Sequence, residues 1–371
     1  MYSWIDSIEA LDAWLAARAT PQLIAVDTEF MRTNTFASRL ALLQVCIGGE
    51  TALIDTVALR RPPSLVARLG DANTCSIMHS AGEDLEALLP LLPDGPGELF
   101  DTQIAAAMAG IGFGVSYQKL VGQLLGVELA KAETRSDWLQ RPLSPAQLEY
   151  AALDVAWLPQ LHEVLARKLD ELGRSSWLRE DCRALIERVC HAQPDPHPQR
   201  AFRGAADWPI ERQALLRRLL LWREAAARTF DKPKPWLLDD AHALNLASQP
   251  PRGGDELFER TRGLRALRGP QRQELQALLE APLTDEDLAI ERIPLPLDSA
   301  QKRAVGEMKT AIAAIAEQLS VPETLLCARR HLEALVTDRV WPAALEGWRK
   351  TLLHDALMAK LPSGGLNSIP R

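Results

Sequence analysis

The sequence has few cysteines and no long apolar run. Its five cysteines are scattered and form no CxxC pair, which argues against a disulfide framework and against a zinc site. Charged residues break the apolar runs well short of the ~18 residues that a membrane span needs. The N-terminus carries acids and no basic region, so it does not resemble a secretion signal. We therefore expect a cytoplasmic protein with no membrane partner.

A general excess of positive charge is also missing. The formal net charge of the 371 residues is −7, which argues against a general nucleic-acid coat. Residues 1–200 hold 17 Lys+Arg against 26 Asp+Glu, whereas residues 201–371 hold 25 against 23. An acidic half before a mildly basic half suggests carboxylate chemistry in the first and polyanion contact in the second.

Two proline-rich stretches, 191–209 and 281–298, divide the chain. Proline removes backbone donors and fixes φ, so both stretches are typical of linkers. They predict three domains, at 1–190, 210–280 and 299–371.

The first domain mixes strand and helix patterns. Short apolar runs predict strands at 23–30, 40–47, 51–56 and 76–80. Helical patterns follow at 82–92, at 115–126 and in one long stretch, 143–173. This order predicts an α/β domain.

The rest of the chain contains no convincing strand pattern. Apolar residues recur at helical spacing over 211–230, 255–280, 300–320 and 323–336. Residues 210–280 and 299–371 are therefore expected to form two small all-α bundles that share one plan.

Asp27 and Glu29 end an apolar strand run. Strand alternation puts both carboxylates on one face, about 7 Å apart along the strand. They repel each other unless a cation joins them. The alternative is an ordinary acidic turn after a strand.

Three more candidates follow on helices. Asp84 lies in the first turn of a helix, where the helix dipole alone also favours an acid. Tyr150 and Asp154 are four positions apart and share one helix face. Neither feature is specific by itself. His79, close to Asp84, is expected to be a packing residue and not a metal ligand.

The order of the whole set resembles the DEDD superfamily of 3′→5′ exonucleases, in its tyrosine-bearing branch. The surrounding sequence is most similar to the bacterial ribonuclease D family. The matching segments are DTEFMRTNTF (27–36), LALLQV (40–45), HSAGEDLEAL (79–88), FDTQIAAAMAG (100–110) and KAETRSDWLQRPLSPAQLEYAALDVAWL (131–158). Residues 210–280 and 299–371 look like the HRDC modules that follow this nuclease domain.

The resemblance implies a ribonuclease H-like exonuclease domain with a mixed central sheet, followed by two HRDC-like helical domains. It implies a metal-dependent 3′→5′ exoribonuclease that releases nucleoside 5′-monophosphates. The expected partners are RNAs with single-stranded 3′ ends, above all tRNA precursors.

Residue roles also come from the resemblance. Two divalent ions, Mg²⁺ or Mn²⁺, can stabilise both the attacking and the leaving oxygen, and such ions prefer carboxylate ligands. Asp27 would bridge both ions. Glu29 and Asp154 would hold the ion that activates water, Asp84 would support the second through water, and Tyr150 would orient the attacking water.

Five further residues are candidates for substrate contact, each with a plain alternative. Arg32 could meet a phosphate or form a salt bridge, and Gln44 could reach a terminal ribose or base or be a surface amide. Trp138 could stack on a base or pack in the core. Arg265 and Arg268 could contact phosphates or belong to a solvated helix face.

Two other functions stay open at this point. One is a 3′→5′ exonuclease that acts on DNA, because the contact with a 2′-hydroxyl depends on fine geometry. The other is a non-catalytic nucleic-acid-binding protein on a nuclease-like scaffold.

Overall fold

The structure, a computed structural model, describes residues 2–18, 22–129 and 136–362. By their internal contacts these residues form two compact units. The first comprises the described residues within Met1–Met31, Arg39–Ala192 and Leu297–Arg371, and the second comprises Arg32–Ser38 and Gln193–Pro296. Within the described ranges, no helix combines the length and the apolar character needed to cross a membrane.

The first unit begins with six strands and the helices between them, before the chain becomes helical. The strands are β1 (Tyr2–Ile5), β2 (Leu23–Met31), β3 (Arg39–Ile47), β4 (Glu50–Ile54), β5 (Cys75–Met78) and β6 (Glu98–Asp101). The helices up to the first linker are α1 (Ile8–Ala16), α2 (Pro63–Leu69), α3 (Gly82–Leu88), α4 (Thr102–Met108), α5 (Tyr117–Leu125), α6 (Pro145–Ala156), α7 (Leu158–Glu171) and α8 (Ser175–Cys190).

Helices alone follow. They are α9 (Ile210–Phe230), α10 (Lys234–Leu237), α11 (Asp240–Ser248), α12 (Gly254–Arg260), α13 (Gly269–Glu280) and α14 (Asp285–Leu288) in the second unit. In the first unit they are α15 (Ser299–Leu319), α16 (Glu323–Leu326), α17 (Arg329–Asp338) and α18 (Trp348–Met358). The expected α/β domain followed by helical segments is confirmed.

The sheet is mixed, as expected, with strand order β1-β4-β3-β2-β5-β6. β2, β3 and β4 form an antiparallel meander, while β1, β5 and β6 join it in parallel. β2 and β3 are therefore central, and most of their side chains are buried. All four predicted strands are present. The sequence pattern missed β1 and β6, each of four residues.

The single helix predicted over 143–173 is wrong, because α6 ends at Ala156 and α7 begins at Leu158. Pro159 lies in the first turn of α7, where its missing N–H is tolerated. At the break the Tyr117 hydroxyl donates to the Leu153 carbonyl at 3.0 Å and accepts the Trp157 N–H at 3.2 Å. Tyr117 thus occupies the place of the helical hydrogen bond that would join residues 153 and 157.

The C-terminal helices share the hydrophobic core of the first unit. The Trp348 ring stacks on Trp177 with centroids 4.4 Å apart, and Arg349 binds both oxygens of Asp181 at 2.5 and 2.7 Å. Buried Arg174 donates to the Leu319 carbonyl at 2.6 Å. The chain after Leu297 therefore contributes to the stability of the nuclease domain.

The second unit is built on α9, whose buried leucines face the helices that follow it. Gln213 on this helix is 1% exposed and fully bonded, with its Nε2 donating to the Trp208 carbonyl at 2.9 Å and its Oε1 accepting the Ile293 N–H at 2.8 Å. The 32–38 segment packs here too, where the Phe36 N–H donates to Asp231 at 2.9 Å.

Replacement of Tyr117 tests the break between α6 and α7. Tyr117→Phe keeps the ring but leaves the Leu153 carbonyl and the Trp157 N–H without the hydroxyl. We expect the free energy of unfolding to fall by about 1–3 kcal/mol, measured by urea denaturation. Tyr2→Phe, at an exposed tyrosine, is the control and should be neutral. If Tyr117→Phe is as stable as Tyr2→Phe, then packing, and not the Tyr117 hydroxyl, determines the break between α6 and α7.

Candidate active site

The centre of the site is on the second half of β2 (Leu23–Met31). Asp27 and Glu29 lie on the same face of this strand, as alternation predicts. A bulge follows directly, because the register with β3 shifts between Glu29 and Phe30. Carboxylate oxygens of Asp27, Glu29 and Asp154 all lie within 4.8 Å of one another. Three acids from two distant parts of the chain thus converge on a space the size of a metal site.

Asp154 reaches the site from α6. This helix starts with a capping box, in which the Ser144 hydroxyl and the Gln147 side chain each bond the other residue's backbone N–H. One turn before Asp154, the half-exposed Tyr150 lies beside the buried Trp138 ring, with centroids 6.0 Å apart. Tyr150 and Asp154 share one helix face, as predicted, so both side chains lie at the carboxylate cluster.

Asp84 enters at the first turn of α3 and is buried. Thr28 lies between Asp27 and Glu29 on β2, and its hydroxyl donates to the Asp84 carboxylate at 2.5 Å. This hydrogen bond ties α3 to β2. The loop before the helix is held by Asp101, which accepts the N–H groups of Ser80 at 3.1 Å and Ala81 at 2.8 Å. Asp84 is therefore beside the three-carboxylate cluster and held by its own partners.

The four acids resist ionisation. Burial is the largest cause and mutual repulsion adds to it, so the pKa of Asp27 is raised well above its ordinary range. The same two causes raise the pKa of Glu29 to about 8 and of Asp154 to about 7. Burial raises the pKa of Asp84 to about 6, although its bond from Thr28 opposes the shift. Such a cluster has a strong electrostatic preference for cations, and its all-oxygen ligands suit hard ones.

His79 does not join the cluster. Its ring nitrogens lie 2.8 Å from the Thr102 hydroxyl and 3.0 Å from the Val115 carbonyl. Its ring also meets Tyr117 edge-on, and burial lowers the pKa of the imidazole. The expected packing role fits these contacts.

Two of the five substrate candidates are buried. Trp138 is 4% exposed and packs with Leu42, Leu53 and Ala151, which favours the core-packing alternative. Gln44 is fully buried and is not a surface amide.

Gln44 has no hydrogen-bond partner on either amide atom among the residues that the structure describes. Each buried polar atom left this way costs about 1–3 kcal/mol. Its cross-strand neighbour in the β2–β3 register is Asp27.

The other three candidates, Arg32, Arg265 and Arg268, are exposed and belong to the second unit. The Arg265 guanidinium lies 5.3 Å from the centre of the Trp236 ring. Their exposure leaves them accessible to a polyanion.

Other arginines close to Arg265 and Arg268, within residues 260–272, form hydrogen bonds inside the second unit. Arg260 bonds the Asn245 side chain and the Gln249 carbonyl, the latter at 2.6 Å. Arg272 donates to the Leu267 carbonyl at 3.0 Å. The stretch is therefore partly structural and not one uniform basic face.

Sequence reasoning missed Thr28, Asp101 and Tyr117, which hold the elements that carry the acids. Asp101 has a local signal, since it caps α4 and an acid before a helix predicts such a cap. Thr28 and Tyr117 have none, because their partners are 56 and 36 positions away in the chain. Residues 131–135 of the motif predicted at 131–158 lie outside the described residues.

Comparisons with known proteins cover nearly the whole sequence. Residues 2–170 match the 3′-5′ exonuclease family. A ribonuclease D of Xanthomonas oryzae is 40% identical over 365 residues, covering 97% of this chain and 99% of its own. A ribonuclease D of Pseudomonas paraeruginosa is 33% identical and covers 97% of both chains.

The crystal structure of Escherichia coli RNase D, described as an exoribonuclease involved in structured RNA processing, superposes with a TM-score of 0.82. It is 29% identical over 97% of this chain and 98% of its own. These relatives support neither the DNA exonuclease nor the non-catalytic alternative. The chain belongs to the ribonuclease D family, a metal-dependent group of 3′-5′ exoribonucleases.

Proposed function

We propose that Asp27, Glu29, Asp84 and Asp154 together hold two divalent cations, Mg²⁺ or Mn²⁺, for the removal of nucleoside 5′-monophosphates from RNA 3′ ends. The single observation that carries this proposal is the convergence of three carboxylates within 4.8 Å. The raised pKa values of these acids support it, because cations relieve the repulsion that otherwise keeps protons on the cluster.

In this proposal Asp27 would be shared by both cations. Glu29 and Asp154 would hold the cation that activates the water, and Asp84 would support the other through water. Bound there, the cations supply an activated water and stabilise the charge on the leaving oxygen.

Tyr150 orients the attacking water with its hydroxyl. Burial and the nearby carboxylates raise the pKa of this phenol above its ordinary value, so it keeps its proton at neutral pH. Tyr150 therefore acts by hydrogen bonding and not as a general base.

The proposed substrates are RNAs with single-stranded 3′ ends, above all tRNA precursors, in the cytoplasm. The described involvement of the E. coli relative in structured RNA processing supports this class. Arg265 and Arg268, both exposed, are proposed phosphate contacts, and Arg32 is a third. Trp138 packs beside the Tyr150 ring. Because Trp138 is buried, contact with a base requires the Trp138 side chain to move.

The three predicted domains at 1–190, 210–280 and 299–371 remain a proposal for how the chain is divided. Residues 210–280 lie within the second unit, which supports a separate substrate-binding role. Residues 299–371 belong with the nuclease domain by their contacts, so a supporting role is proposed for them.

The variant Asp27→Asn tests the metal assignment. It removes the ionised bridge with almost no change in volume, so we expect the rate of 5′-monophosphate release to fall by more than ~10³-fold. The assay follows a 5′-labelled RNA by gel in Mg²⁺. Glu83→Gln is the matched control on the exposed side of α3. Activity of Asp27→Asn within tenfold of wild type would refute the assignment.

The raised pKa values also predict how stability depends on pH. Without divalent cations, Glu29 and Asp154 keep protons in the folded chain that the unfolded chain releases above about pH 4. Stability from these groups is therefore greatest below that pH and falls as the pH rises toward 8. We expect the apparent Tm in EDTA to fall between pH 5.5 and 8.5, and Mn²⁺ to raise it more at the higher pH.

Glu29→Gln controls this second experiment, because the variant cannot ionise at that position. Its Tm in EDTA should fall less over the same pH range. A wild-type Tm that has the same pH slope as that of Glu29→Gln would contradict the pKa assignment.

Phosphate contact by the second unit is tested with the full chain. Arg265→Ala/Arg268→Ala should weaken binding to a 3′-tailed tRNA precursor and flatten the plot of log affinity against log salt by roughly one unit per lost contact. Filter binding between 50 and 200 mM salt measures both effects. Arg329→Ala, at an exposed arginine paired with Glu333, should leave the slope unchanged. An unchanged slope in the double variant would assign these arginines another role.

A further inference from the structure

Gln44 is a buried polar residue that neither the fold nor the proposed mechanism uses. It lies in the middle of the central strand β3, with its side chain 0% exposed. Neither Oε1 nor Nε2 has a hydrogen-bond partner within the described part of the chain. Buried amides in folded proteins are nearly always bonded, so this exception requires an explanation.

The register of the sheet gives the surroundings of this amide. Gln44 is directly opposite Asp27 on β2 and Leu53 on β4. Side chains of directly opposed residues lie on the same face of a sheet, with their Cβ atoms about 5 Å apart. The face also carries Leu42, which packs with Ala151 of α6. The amide therefore lies between the central carboxylate of the site and an apolar layer.

Another buried glutamine shows what a purely structural amide looks like. Gln213, in the second unit, is 1% exposed and bonds the Trp208 carbonyl and the Ile293 N–H. Both ends of its amide hold the backbone of that unit together. Gln44 is equally buried but forms no such hydrogen bonds to the backbone, so a structural role does not explain why this residue is polar.

We propose that Gln44 is a positioning residue for Asp27, whose carboxylate accepts a hydrogen bond from the Gln44 Nε2, directly or through one water, in the cation-bound site. This inference rests on the proposed function of the carboxylate cluster. The bond fixes the orientation of the carboxylate, as hydrogen bonds to ligating carboxylates do in metal sites generally.

The amide is chemically suited to this position. A lysine or arginine beside Asp27 would supply its own positive charge and compete with the cations. A leucine would leave the carboxylate free to rotate. A neutral donor orients the ligand without changing the charge of the site.

A positioning role predicts effects of opposite sign on stability and on metal binding. Gln44→Leu removes two unbonded polar atoms from the core, so the apparent Tm in EDTA should stay equal or rise. The same change should lower the affinity for Mn²⁺ by about 10–100-fold. A residue that only supports the fold would lower the Tm and leave the affinity unchanged.

The experiment uses the full chain with Mn²⁺ alone as the probe. Thermal denaturation in EDTA gives the Tm, and isothermal titration calorimetry gives the Mn²⁺ affinity. Gln213→Leu is the matched control, for which we expect a lower Tm and an unchanged Mn²⁺ affinity. Gln44→Met is the second variant, since its flexible side chain avoids a clash that the branched leucine could cause.

The outcomes separate this inference from the function on which it rests. Weaker Mn²⁺ binding with an undiminished Tm in either Gln44 variant supports it. A lowered Tm in both variants, or unchanged Mn²⁺ binding, overturns it. Asp27→Asn is titrated in parallel: if it loses Mn²⁺ binding while the Gln44 variants keep it, only the role of Gln44 fails. If Asp27→Asn itself keeps full Mn²⁺ binding, the proposed function fails.

Discussion

The repulsion among four carboxylates, of which Asp84 is buried and the other three are partly buried, is the constraint on which the rest of the nuclease domain depends. Burial and proximity raise the pKa of Asp27, Glu29, Asp84 and Asp154 together. Such an arrangement opposes folding and persists only where the surrounding structure holds each acid firmly. What the protein gains is a rigid cluster of carboxylate oxygens, which the proposed metal-dependent chemistry requires.

Each element that carries an acid is held by a side chain without a direct chemical role. Thr28 ties α3 to β2 through Asp84, and Asp101 fixes the loop that leads into α3. Tyr117 bridges the end of α6 next to Asp154. The site is thus precise because its supports are regular elements with satisfied hydrogen bonds, and Gln44 is the one buried amide beside it left unbonded in the described chain.

The helices after Leu297 belong to the same unit as the carboxylate cluster. They share the core of the nuclease domain and bond α8 through Arg349 and Arg174. Removal of this segment would expose that core. The second unit, by contrast, has its own apolar core around α9.

The sequence by itself determined the family and the residues proposed for its chemistry. Residue types and their order selected the acids and Tyr150 as candidates, and short apolar runs predicted the four strands β2 to β5. Only the tertiary structure decided the burial of Gln44 and Trp138, the break after α6 and the packing of the last helices. The physical reason is that local patterns report which face of an element is apolar, whereas burial, hydrogen-bond partners and helix breaks depend on residues distant in the chain. Tyr117, 36 positions from the carbonyl that it bonds, is the plainest example.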